Sequence, residues 1–236
     1  MRPMRVLALA GLSTTLLGTA SADIESTFAA GYTSDYIFRG GDVGTNLFDA
    51  TLDFSGSGAA GALGDLDWNA GIWLATFSVG SDSSNNELDI YGSVTKSLNE
   101  MFSVTAGVTT YTYFGNGGAG EDDIEPWLGL GASVSGIDLS AAAYFDGSDN
   151  YAHDLYWEFS AGYEQELCEG VTGSVGVTVG IFDDGADGDE DVYFQGSAGL
   201  AYALTESITL GAHASVIFSD DLGDHFIGGG SVSFGF

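Results

Sequence analysis

The sequence predicts an all-β fold: a transmembrane, antiparallel, up-and-down β-barrel of twelve strands that follows a cleaved signal peptide. Three observations predict it. Segments of about ten residues alternate between apolar and polar side chains. Clusters of Gly, Asp, Asn and Ser separate these segments, in a chain with 37 glycines and 2 prolines. After the first 22 residues, no stretch reaches the about 18 consecutive apolar residues of a membrane-spanning helix.

The N-terminal segment 1–22 has the three regions of a signal peptide. Arg2 and Arg5 supply the positive charge, a short apolar stretch follows, and Ala-Ser-Ala at 20–22 is a small-residue cleavage site. We therefore expect segment 1–22 to be removed and residues 23–236 to form a single outer-membrane β-barrel domain. Both features place the protein in the cell outer membrane.

The first five predicted strands define a lipid face and a lumen face. In the first strand we expect on the lipid face Phe28, Ala30, Tyr32, Tyr36 and Phe38, and on the lumen face Thr33, Asp35 and Arg39. In the next four, the lumen-facing side chains are expected to include Asp49 and Asp53, then Asp67 and Trp73, then Glu87, Asp89 and Tyr91, and then Tyr111 and Tyr113. Side chains of alternate residues point to opposite faces of a strand, so one face can contact lipid throughout.

Seven further strands are predicted near residues 124–134, 137–146, 152–165, 171–182, 191–203, 207–218 and 225–236. Short turns are expected at 96–101, 135–136, 167–170 and 204–207, and longer polar loops at 78–86, 115–123, 146–153 and 183–191. Short periplasmic turns that alternate with longer outer loops are typical of bacterial barrels. The segment 56–64 should be periplasmic yet is long, so it is either a flexible turn or a continuation of the second strand.

A soluble β-sandwich also alternates, but two features favour the barrel. The apolar face continues through all the segments, and aromatic residues lie near the predicted strand ends: Tyr36, Phe38, Phe114, Phe145, Tyr202 and Phe218. The chain also ends with aromatic residues at alternate positions, Phe234 and Phe236, as in the C-terminal signal that the outer-membrane assembly machinery reads. We therefore expect that machinery to be a partner.

The segment GYTSDYIFRG at 31–40 resembles the opening of the TorF-type porin family of Gram-negative outer-membrane β-barrel proteins, which carries S-D-Y-x-F-R-G. ELDIYG at 87–92 and Tyr-Trp-Glu at 156–158 resemble later strands of that family. The resemblance implies a barrel and a pore without a defined substrate. The loops here are more acidic than is usual in the family.

Acidic residues dominate the charge. There are 34 Asp and Glu against 4 Lys and Arg, for a formal net charge of -30, which excludes a nucleic-acid partner because phosphate contacts need clustered cations. The charged residues expected in the lumen are Asp35, Arg39, Asp49, Asp53, Asp67, Glu87, Asp89, Glu125 and Glu158. Their field favours cations, although a general acidic adaptation to the environment is an equal alternative.

Arg39 is the one cation expected in the lumen, where it would face Asp49, Asp53, Glu87 and Asp89 from nearby strands. Two roles are open to it. The preferred one is a charge brace that holds the register of the strands. The other is a constriction charge that tunes selectivity.

The outer loops are also acidic. The carboxylates of one run could hold Ca²⁺ or Mg²⁺ loosely: Asp183, Asp184, Asp187, Asp189 and Asp191. A solvated acidic loop is the preferred interpretation, and no other cofactor is expected. An enzyme is not expected either. His213 and Ser215 share a face as in outer-membrane phospholipases, but the orienting amide is absent and His213 is expected to face the lumen.

Together these features predict a porin-like protein that allows small solutes or cations to diffuse passively across the outer membrane, in contact with lipid and lipopolysaccharide. The alternative is a non-conducting structural barrel or surface adhesin with a filled lumen. Glycines expected in the lumen would leave it open: Gly107, Gly129, Gly131, Gly176 and Gly199. Aromatic residues expected there would fill it: Trp73, Tyr91, Tyr111, Tyr113, Trp127, Tyr144 and Tyr156.

Overall fold

A computed structural model describes residues 24–80, 83–115, 123–145, 155–183, 190–219 and 223–236. The predicted signal peptide, and Asp184, Asp187 and Asp189 of the acidic run, lie outside these residues, as do the side chains of Asp183 and Asp191. Among the described residues no helix is long and apolar enough to cross a membrane.

Alternating sequence forms long strands throughout. The strands are β1 (Glu25–Phe38), β2 (Gly41–Ala59), β3 (Asp65–Val79), β4 (Ser83–Ser97), β5 (Phe102–Gly115), β6 (Asp123–Val134), β7 (Ile137–Phe145), β8 (Leu155–Cys168), β9 (Val171–Asp183), β10 (Glu190–Ala203), β11 (Ile208–Ser219) and β12 (Gly223–Gly235). A single turn of 3-10 helix, Gly61–Leu63, connects β2 to β3.

The twelve strands form a closed barrel in which each strand pairs with its neighbours in sequence and β1 pairs with β12. All the pairings are antiparallel. Ser26 and Phe236 extend the seam by exchanging backbone hydrogen bonds of 3.2 and 3.0 Å. Closure leaves no free sheet edge, which a barrel in lipid requires. The predicted fold class and strand number are confirmed.

Of the two alternatives for the segment 56–64, continuation of the second strand holds for its first four residues, because β2 runs to Ala59. One connection differs from the prediction. The loop predicted at 78–86 is wrong, because β3 runs to Val79 and β4 already begins at Ser83. Polar residues 83–86 lie in the ladder opposite the end of β3. Their composition indicated a loop, but pairing with a neighbouring strand overrides that weak preference.

The predicted alternation is visible on the barrel wall. On β3 and β4, Ile72, Leu74 and Ile90 are exposed on the outside, and Ile90 retains 52% of its accessible surface. The intervening Trp73 and Asp89 are buried inside. The outer face is therefore apolar and the inner face carries the polar groups, which is the reverse of a soluble protein and matches a barrel in lipid.

The end of the β1–β2 hairpin breaks this alternation. Tyr36 and Phe38 were expected on the lipid face, which is wrong: they are 2% and 0% exposed, and Tyr36 donates a hydrogen bond to Glu87 in the interior. The register between β1 and β2 shifts between Tyr36 and Ile37, where β2 contains one extra residue between Asp42 and Gly44. This β-bulge lies in the irregular end of the hairpin, where the simple alternation of the strand does not hold.

Candidate functional site

The hairpin tip, defined as residues 36–41, lies inside the barrel rather than above it. Its turn, Arg39-Gly40, has φ angles of 49° and 76°, as a two-residue hairpin turn of type I′ requires. Close packing against β10 also requires a glycine at position 40. A Cβ atom at this position would lie 2.8 Å from the Cβ of Tyr193 on β10, which is closer than van der Waals contact allows.

Arg39 extends from this turn to the wall on the other side. Its guanidinium donates two hydrogen bonds, of 2.8 and 2.9 Å, to the two carboxylate oxygens of Glu125 on β6. The side chains are only 6% and 4% exposed. The guanidinium carbon also lies 4.0 Å from the ring centroid of Tyr156 and 4.9 Å from that of Tyr144. A bidentate, buried pair flanked by aromatic rings is a strong and directional contact.

The ion-pair partner of Arg39 therefore differs from the expectation of Asp49, Asp53, Glu87 and Asp89. That expectation treated Arg39 as a residue of the strand wall, whose neighbours lie on β2 to β4. Because the turn folds inward, the long side chain instead reaches Glu125, five strands from β1 around the ring.

Aromatic side chains hold the other lumen carboxylates. Tyr36 and Tyr113 donate hydrogen bonds of 2.8 and 2.7 Å to the two oxygens of Glu87. The remaining pairs are Tyr111 with Glu125, Tyr156 and Tyr193 with Glu158, Tyr91 with Asp53, and Trp73 with Asp49. Each donor satisfies a carboxylate that the strands have brought inside. These pairs fix the rings and fill the part of the lumen bounded by β3 to β8.

The other predicted lumen carboxylates take up different positions. Asp89 is 6% exposed within the filled part. Asp35 lines the space that remains open. Asp67 is exposed, and it lies opposite Thr95 and Ser57 near the end of the barrel where β2 turns into β3.

Glycines on the inner face provide room for aromatic rings. Gly107 lies directly opposite Trp127, and a Cβ atom at Gly107 would overlap the indole. Gly71 with Tyr91 and Gly180 with Tyr193 repeat the arrangement on other strand pairs. The expectation that Gly107 leaves the lumen open is therefore wrong, because the ring of its cross-strand neighbour occupies the space that the absent side chain leaves.

The open part of the interior is a cavity of about 270 Å³ beside β9 to β12, β1 and β2. On β11 its lining runs from Thr209 to Ile217, so it follows most of the strand. Alanine and glycine residues alternate along this wall with side chains that carry a hydroxyl group: Thr33, Thr51, Thr172, Ser174, Ser197, Thr209, Ser215, Ser231 and Ser233. His213 faces the cavity as predicted, with its Nε2 3.4 Å from the Oγ1 of Thr33. Arg39 and Gly40 of the hairpin tip also line it.

The sequence patterns did not lead us to expect the hairpin tip or Tyr193 among the groups that fill the lumen. Tyr193 is 7% exposed and its hydroxyl lies 2.7 Å from that of Tyr156. The alternation of β10 contained that signal, because Phe194 beside it is apolar and exposed. For the tip, the signal was the Arg-Gly-Gly sequence at 39–41, which suits a tight turn better than a strand face.

No protein-family model and no curated protein matches the sequence. Solved barrels do share the fold. The COG4313 outer membrane channel from Pseudomonas putida F1 has a TM-score of 0.59 at 13% identity, over 93% of this chain and 97% of that one. A NanC porin has a TM-score of 0.56 at 14% identity, over 89% of this chain and 98% of that one. A KdgM porin has a TM-score of 0.54 at 12% identity, over 90% of this chain and 99% of that one. At these identities the likeness shows the fold, and the TorF-type resemblance stays a prediction.

Proposed function

We propose that the protein is a porin-like channel of the outer membrane through which small solutes diffuse passively, with a preference for cations. One observation carries the proposal: a closed barrel with an apolar outside encloses a hydroxyl-lined cavity that follows most of the length of β11. Lipid and lipopolysaccharide would contact the outside. The polar wall would replace part of the hydration of a passing solute.

The C-terminal residues support insertion into a membrane. Phe236 is 74% exposed on the outside, and Phe234 packs beside Phe28 at the seam with ring centroids 6.3 Å apart. Both aromatic residues would lie against lipid at one end of the barrel. The assembly machinery would read the same two outward-facing rings.

The charges of the cavity support a cation preference. Asp35 and Asp49 line it. The positive charge of Arg39 is matched by Glu125 in a buried pair, so it does not offset these two carboxylates. A low-dielectric wall focuses the field of fixed charges into a narrow bore, and carboxylates along a pore favour cations.

A non-conducting barrel that serves as a structural or adhesive surface protein is the second candidate. The aromatic–carboxylate network favours it, because the rings occupy the lumen beside β3 to β8. The two candidates differ in whether solutes pass through the remaining cavity.

Reversal potentials in a salt gradient, measured on the refolded protein in planar bilayers, test the proposal. Exchanging Asp35 and Asp49, the two aspartates that line the cavity, for Asn should lower the cation/anion permeability ratio. Asp67→Asn is the matched control, since Asp67 is exposed near the end of the barrel. Removal of the carboxylates in 183–191 should have a smaller effect, because we expect that acidic run to be solvated, and solvated charges are screened over ~8 Å at physiological salt. An unchanged ratio in the double variant would mean that the acidity reflects adaptation to the environment rather than selection of ions.

A further inference from the structure

We infer that the hairpin tip is the constriction of this channel, and that the Arg39–Glu125 pair is a latch that keeps it in the lumen and so sets the size of the solutes that pass. The inference rests on the proposed channel function. It assigns the permeants to small, hydrophilic, neutral or cationic solutes of about monosaccharide size.

The first support is the position of the tip. A hairpin turn is ordinarily exposed, because its backbone groups need water or other partners. Here Phe38 is 0% exposed, and both Gly40 and Gly41 are buried. Arg39 adopts a positive φ of 49°, a conformation that is unfavourable for a non-glycine residue. The surrounding contacts must therefore hold the turn inward.

The second support is the kind of contact that holds it. The Arg39–Glu125 pair joins a turn to the wall five strands away, so it spans the lumen. Tyr36 makes a second tether within the tip, through its hydrogen bond to Glu87 on β4. A paired charge is stable in this dry position, whereas an isolated one is not. Loss of either partner should therefore favour positions of the tip in which the remaining charge reaches water.

The third support is the path that the tip leaves. The cavity lining on β11 and β12 extends from Thr209 and Ser233, near one end of the barrel, to Ile217 and Ile227 near the other. Arg39 and Gly40 bound it at that second end. A solute that follows the cavity must therefore pass the tip. The volume of about 270 Å³ accommodates only a small molecule.

Thiol labelling tests the latch without relying on transport. Cys168 is exposed and is first replaced by Ser, so that Phe38→Cys supplies the only thiol. In otherwise unchanged protein this thiol should react slowly with a water-soluble maleimide. Adding Glu125→Gln should speed the reaction about tenfold or more, because labelling follows the population of the open state. Adding Asp53→Asn instead should leave the labelling rate unchanged, because it removes a lumen carboxylate that does not contact the tip.

Permeation of solutes of graded size tests the constriction. In vesicle-swelling assays the wild type should admit a monosaccharide and exclude a trisaccharide. Arg39→Ala and Glu125→Gln should admit both, because the freed lumen is wider. Lys96→Ala is the matched control, since Lys96 is half-buried at the other end of β4, away from the tip, and donates a hydrogen bond to the backbone oxygen of Asp65.

The outcomes separate the two claims. The latch would be refuted if the labelling rates were equal with and without Glu125→Gln. It would also be refuted if the protein conducted but Arg39→Ala and Glu125→Gln left its size limit unchanged. Neither result would contradict the proposed channel function. Absence of solute flux in the wild type and in every variant would overturn the proposed channel function. Faster labelling together with a raised size limit would support both.

Discussion

Removal of Arg39 should destabilise the barrel strongly, and the structure indicates by how much. Arg39→Met keeps most of the volume but leaves Glu125 as a buried carboxylate without its cation. Breaking a buried pair in this way typically costs about 3–5 kcal/mol, and the contacts to the rings of Tyr144 and Tyr156 add up to about 2 kcal/mol. Tyr111 donates a hydrogen bond of 2.9 Å to Glu125 in the wild type and can keep it in the variant, so this bond does not change the difference. The net loss is therefore at least about 3 kcal/mol.

Equilibrium urea unfolding of the protein refolded into lipid vesicles, followed by tryptophan fluorescence, measures this loss. The double variant Arg39→Met, Glu125→Leu should lose clearly less than the sum of its two single variants, because no unpaired charge then remains in the interior. Lys96→Met, at a half-buried lysine whose side chain bonds only the backbone oxygen of Asp65, should stay within about 0.5 kcal/mol of the wild type. A loss below about 0.5 kcal/mol for Arg39→Met, or strict additivity in the double variant, would refute the buried, paired position of Arg39.

Two further predictions concern topology and assembly. Single cysteines in 183–191 should react with an impermeant maleimide on intact cells, and single cysteines in 204–207 should not, because alternate connections lie on opposite sides of a barrel. The reverse labelling pattern would mean that the barrel has the opposite orientation in the membrane. Phe236→Asp should reduce outer-membrane insertion far more than Ser233→Asp, because Phe236 faces outward at 74% exposure whereas Ser233 lines the cavity. The protein recovered in outer-membrane fractions measures this difference. Equal recovery of the two variants would mean that the resemblance of Phe234 and Phe236 to the outer-membrane assembly signal is accidental.

The alternation of side chains was enough to predict the barrel and most of its faces. Period-two patterns along strands such as β4 and β8 fix which residues face lipid, since a one-residue slip would put every charge on the wrong side. Trp73, Tyr91, Tyr111 and Tyr156 accordingly lie inside, as predicted. Partial filling of the lumen by aromatic rings also followed from these positions.

The site itself depends on features that a linear pattern does not contain. Tyr36 and Phe38 face inward at an irregular end of the β1–β2 ladder, and the composition of the two strands does not reveal that irregularity. The partner of Arg39 depends on the reach of its side chain across the ring to Glu125, which is 86 residues away in sequence. The fit of Trp127 over Gly107 requires the register of two neighbouring strands. Each is set by three-dimensional pairing rather than by local composition.

Single-channel recording of the refolded wild-type protein in planar bilayers tests the central claim most directly. We expect discrete conductance steps, carried by ions through the cavity beside β9 to β12, and larger steps in Glu125→Gln, because release of the tip widens the open cross-section. A bilayer that contains correctly folded wild-type and Glu125→Gln protein and shows no steps with either would contradict it. The barrel would then be a filled, non-conducting one.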